Sequence, residues 1–103
     1  MNRIEKLQEM LAENPKDSFL RHALGLEMVK IGDDAKAQET FEALLADDPQ
    51  YIASYYQLAQ LFERLHNKEK AIEYYEKGIQ QAKAAKDMRT YNELNSAYEA
   101  LIY

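Results

Sequence analysis

The sequence predicts an all-α fold, an α-α superhelix or solenoid of about six antiparallel helices, and three observations support that expectation. Leu20, Leu24, Met28 and Ile31 recur three and four residues apart, which puts them on one helical face. The segment from Ser18 to Tyr51 is copied by the chain that follows it at a period of 34, so that Leu24 falls on Leu58, Gly25 on Ala59, Met28 on Phe62, Ile31 on Leu65, Ala37 on Ala71, Phe41 on Tyr75 and Leu45 on Ile79. Pro15 and Pro49, also 34 apart, each stop a preceding helix, because proline lacks the N–H and its ring clashes with the turn before it.

In chain order, residues 2–13 place Ile4, Leu7, Met10 and Leu11 on one face, and Asn14-Pro15 ends that helix. Helices are expected at about 17–31 and 35–46. Gly32 takes the left-handed conformation that ends the first of these, and Asp33 or Asp34 caps the second. Gly25 costs about 1 kcal/mol inside a helix and therefore implies close packing, helped by the small Ala59, Ala37 and Ala71 at related contacts. The next pair is expected at about 51–65 and 69–85. Lys83 stands where a proline would repeat and Gly78 replaces a larger residue, so the later helix should run longer. Tyr91, Leu94 and Tyr98 follow Tyr55, Leu58 and Phe62 by 36 residues, which requires two extra residues among 82–87. A final helix is expected at about 88–101, with Asn95 at the small position and Tyr55, Tyr75 and Tyr98 in the core.

Read as large-x2-Leu-small-x2-large, then Ala-x3-aromatic, then Pro, the residues Leu24, Gly25, Met28, Ala37, Phe41 and Pro49 stand in register, and the segment resembles a tetratricopeptide repeat. The resemblance implies one domain over residues 1–103, with a half repeat at 2–15, repeat one at 18–51, repeat two at 52–87 and a capping helix at 88–103. It also implies a right-handed superhelix with a concave groove that binds a peptide or partner helix without catalysis. Carried onto this chain, the groove takes Phe19, His22, Leu26, Val29 and Lys30 from one helix, which share an arc of about 100°. The next first helix gives Ala53, Tyr56, Gln57, Gln60, Glu63 and Arg64, and the last helix gives Arg89, Asn92, Ser96 and Glu99. Tyr56 is the expected aromatic anchor, free of the fold. Phe19, Leu26 and Val29 form an apolar patch that a partner, a second copy of the chain or the N-terminal helix must cover. The chaperone-binding branch of the family clamps a C-terminal carboxylate with Lys and Asn; the matching positions here are His22 and Leu26, so that clamp does not carry over.

Composition narrows the functional classes. The 103 residues carry 13 Lys or Arg against 18 Asp or Glu, a formal charge of −5. The acidity lies in residues 1–51, with 6 basic against 11 acidic side chains, while 52–103 has 7 of each. No basic stripe is available to release phosphate counterions, which excludes nucleic acid as the expected ligand. The chain has no Cys, no run of about 18 apolar residues and no signal-peptide pattern, and the expectation is a cytoplasmic protein without membrane contact. His22 and His66 are the only histidines, His66 in a solvated turn, and no ligand spacing, glycine-rich phosphate loop or nucleophile set accompanies them. No metal, cofactor or catalytic residue is therefore expected. The expected partner is a protein or peptide of unidentified sequence, with a structural homodimer using the same surface as the alternative.

Overall fold

The computed structural model describes residues 2–103. Among these are six helices and no strand: α1 (Arg3–Glu13), α2 (Ser18–Lys30), α3 (Asp34–Asp47), α4 (Ile52–Arg64), α5 (Lys68–Ala84) and α6 (Met88–Ile102). They form two compact units, one ending at Pro49 and the other running from Gln50 to Tyr103.

Local chemistry sets both ends of these helices. Asn2, Asp17, Asp33, Asn67 and Asp87 each accept, through a side-chain oxygen, the backbone N–H three residues on, at 2.9 to 3.2 Å. Each such cap satisfies an orphan donor of the first turn and contributes about 1 kcal/mol. α4 starts after Tyr51 without a side-chain cap. At the opposite ends, Gly32 (φ 80°), His66 (φ 58°) and Lys86 (φ 58°) occupy the left-handed region. The N–H after each returns to a carbonyl five residues back, from Asp33 to Met28, Asn67 to Phe62 and Asp87 to Ala82, all at 2.9 Å. This pattern satisfies the open carbonyls of a helix end and turns the chain into the next helix, whose cap is that same Asp or Asn.

In the first unit α2 packs on α3 and α1 packs on α2. Ala37 and Phe41 of α3 are fully buried. A Cβ built on Gly25 would lie 2.5 Å from Phe41 Cε1, so the close approach expected from the sequence is between Gly25 and this ring. Lys16 and Arg21 both donate to Asp47 Oδ2, at 2.9 and 2.8 Å, and hold that carboxyl below the usual carboxylate range; Ser18 donates to Asp48 at 2.6 Å.

In the second unit α5 packs against both α4 and α6. Ala59, Tyr75, Ala82 and Leu94 make a buried cluster, with Ile52, Tyr56, Ile79, Tyr91, Tyr98 and Leu101 packed around it. Gly78 explains the departure noted in the sequence: an added Cβ would meet Tyr55 Cβ at 2.8 Å and a Leu94 methyl at 3.2 Å, so α5 touches two helices at one residue. The longer second helix is present, 17 residues in α5 against 14 in α3, and it accommodates the shift in period.

Three packing expectations are corrected. Ile31 is 63% exposed because it is the C-cap residue, where the helix and its apolar stripe have ended, and Leu65 at the matching position is also exposed. Leu24 is half-buried rather than buried, since it borders a cleft shared with Leu11, Pro15 and Arg21. Tyr98 is half-buried, its hydroxyl reaching outward to donate to Glu76 at 3.0 Å.

Candidate functional site

Each unit carries a cleft lined by residues that the sequence assigned to binding. In the first unit Arg3 of α1 and Phe19, His22, Ala23, Leu26, Glu27 and Lys30 of α2 enclose about 420 Å³. Phe19 stands at its edge with 69% of its surface exposed, while His22 and Leu26 are half-buried. Glu27 is nearly covered and pairs with both Arg3 of α1 and Lys30 of its own helix, so the basic groups at this cleft already face a carboxylate. His22 lies against Phe41, ring centroids 5.5 Å apart, and burial pushes its pKa down.

In the second unit Ile52, Ala53, Tyr56 and Gln57 of α4 face Asp87, Thr90, Glu93 and Leu94 of α6 across about 470 Å³. The Tyr56 ring meets Tyr75 edge-on at 6.3 Å, and its hydroxyl accepts from Gln60 Nε2 at 2.9 Å. Tyr75, buried beneath it, donates to Glu63 Oε2 at 2.5 Å; burial first and the neighbouring carboxylate second push its pKa up.

The structure therefore brings Phe19, His22, Leu26 and Lys30 to one cleft and Tyr56 and Gln57 to the other. Gln60 lies outside both linings and donates to the Tyr56 hydroxyl. Val29 is half-buried outside the lining, Arg64 is an exposed residue near the end of α4, and Arg89 and Asn92 lie exposed on α6 beside the second cleft. The expectation that Tyr56 is free of the fold is corrected: it is half-buried against the core cluster. Helical spacing gives a direction but says nothing of how deep the underlying Tyr75 ring allows the side chain to sit.

Sequence reasoning missed the acidic wall of the second cleft, Asp87 and Glu93. Asp87 caps α6: it accepts from Thr90 N at 3.2 Å and Thr90 Oγ1 at 2.8 Å, which holds its carboxyl below the usual range. Among the described residues no three His, Cys, Asp or Glu gather as a metal site would require, and no helix is long and apolar enough to cross a membrane.

Residues 52–84 match the tetratricopeptide repeat. The chain is similar to a tetratricopeptide repeat domain protein from Salinibacter ruber solved in solution, with 35% identity and a TM-score of 0.82 over 85% of this chain and 89% of the other. A Bordetella parapertussis protein is similar at 24% identity, with a TM-score of 0.84 over 98% of this chain and 88% of its own. The type III secretion translocator chaperone SycD of Yersinia enterocolitica shares the fold at 13% identity, with a TM-score of 0.86 over 95% of this chain and 68% of its own. No curated protein matches the chain. An all-α helical repeat and 35% identity along most of both chains leave one assignment: this chain belongs to the tetratricopeptide repeat family, whose fold is a protein-binding scaffold.

Proposed function

We propose that the protein is a non-catalytic scaffold that binds a peptide or a helix of another protein through the exposed faces of α2 and α4. In this reading residues 2–15 are a half repeat, 18–51 and 52–87 are two full repeats, and 88–103 are a cap. The observation that supports it most is Phe19, a large apolar ring left 69% exposed at the edge of a cleft with a half-buried apolar wall. Such a ring costs solvation in the free protein and is recovered only when a surface covers it.

Light scattering on a size-exclusion column, with and without a partner captured from native lysate, tests the reading. The expected result is a chain of 12.0 kDa that is monomeric alone and shifts to a defined heterocomplex. A dimer that persists on dilution and captures nothing would overturn it in favour of a homo-oligomerisation module using the same surface.

A further inference from the structure

The two clefts differ in charge, and the difference selects a partner. Both charged side chains lining the α4/α6 cleft are carboxylates, Asp87 and Glu93, and the opposite wall offers Ile52, Ala53 and the Tyr56 ring. Asp87 is held ionised by its two bonds from Thr90 and is half-buried. Among the described residues Glu93 pairs with Arg89, whose Nε stands 3.6 Å away on the preceding turn; that pair is 91% and 60% exposed, and Lys86 and Arg89 both lie outside the lining. An exposed i,i+4 pair contributes well under about 1 kcal/mol, so it yields easily to a better placed cation. In the α1/α2 cleft the arrangement is reversed, with Arg3 and Lys30 on the rim and Glu27 largely covered between them.

We propose that the α4/α6 cleft takes a basic peptide segment, seating an apolar side chain against Ile52, Ala53 and the Tyr56 ring and a Lys or Arg side chain on Asp87 and Glu93. This rests on the scaffold reading above and names the chemistry of its partner. Apolar contact supplies affinity here, and the carboxylates supply selection, since rim charges act mainly on specificity and on the rate of encounter.

The test uses two labelled probe peptides of equal length, one alternating Leu with Lys and one alternating Leu with Glu, titrated into the full chain by fluorescence anisotropy, with amide NMR shifts locating each. The Leu/Lys probe is expected to bind more tightly, to shift the amides of Ala53, Gln57, Thr90 and Glu93, and to weaken as salt rises. In Asp87→Asn/Glu93→Gln, which keeps a capping side chain at 87, its affinity should fall by about three- to tenfold, the effect of two exposed ion pairs, while the melting temperature holds. Equal or tighter binding of the Leu/Glu probe, shifts confined to other residues, unchanged affinity in the double variant or no binding by either probe would each overturn the proposal. The scaffold reading survives an acidic probe that binds at either cleft, and it fails separately by the light-scattering result described above.

Discussion

The α2/α3 and α4/α5 hairpins are two copies of one sequence pattern, and the positions where they differ separate what the fold needs from what each copy has adapted. Ala37 and Ala71 are both fully buried, as are Phe41 and Tyr75. His22 and Tyr56, 34 residues apart, each rest a ring on that buried aromatic, at 5.5 and 6.3 Å. The differences come in compensating pairs. Phe41 has no hydroxyl, and Val29 stands on α2 where the second copy has Glu63; Tyr75 has one, and Glu63 accepts its proton at 2.5 Å. A buried hydroxyl without an acceptor would cost about 1 to 3 kcal/mol, so the change at one site required the change at the other.

The largest effects fall on the shared positions. Phe41→Ala should cost about 3 to 5 kcal/mol through the cavity it opens, and Ala37→Leu or Ala71→Leu about 1 to 3 through overpacking. Thermal unfolding of the three variants checks this, and an unchanged midpoint would mean that these positions are not the close contacts of the repeat.

Next come the compensating pairs. Tyr75→Phe should cost about 1 kcal/mol, the worth of one hydrogen bond, and Glu63→Val about 1 to 3, since it takes this acceptor from the buried Tyr75 hydroxyl. Together they rebuild the Phe41/Val29 combination, and the double variant should lose less than the sum of the two. Additive losses in denaturant titrations would show that the bond does not couple the two residues.

The turns sharpen the comparison in the opposite direction. Gly32 adopts φ 80° with open space around it, whereas His66 adopts φ 58° at the matching position. A side chain in the left-handed region costs about 1 kcal/mol, so Gly32→Ala should lower stability by that amount and His66→Gly should raise it. Both shifts are readable in the same unfolding assay.

His22 gives the smallest effect, a dependence on pH. Burial lowers its folded pKa below the ordinary value of 6.5, so the unfolded chain binds the proton more readily. The stability contributed by neutral His22 is therefore complete above about pH 6.5 and is lost as pH falls toward the folded pKa. His22→Gln should flatten the stability curve across that window. Equal slopes in parent and His22→Gln would remove His22 as the source.

These comparisons also mark how much the sequence discloses. The repeat pattern, with its shift from 34 to 36 residues before the last helix, located every helix to within a residue or two, because stops, caps and apolar stripes act locally. Gly25 was interpretable because a costly residue in a helix demands a reason, and Phe41 supplies it. The acidic wall at Asp87 and Glu93 was not legible, since it depends on how α6 meets α4 after a turn whose length departs from the period. His66 was placed in a turn, but its left-handed backbone follows only from matching it to Gly32.

The central claim is that Phe19 serves binding and not folding, and one paired experiment on Phe19→Ala tests it most directly. Because Phe19 is 69% exposed, the variant should unfold within about 0.5 kcal/mol of the parent while its capture of a partner from native lysate weakens severalfold. A variant that melts far below the parent, or that melts alongside it and captures the partner undiminished, would contradict the account.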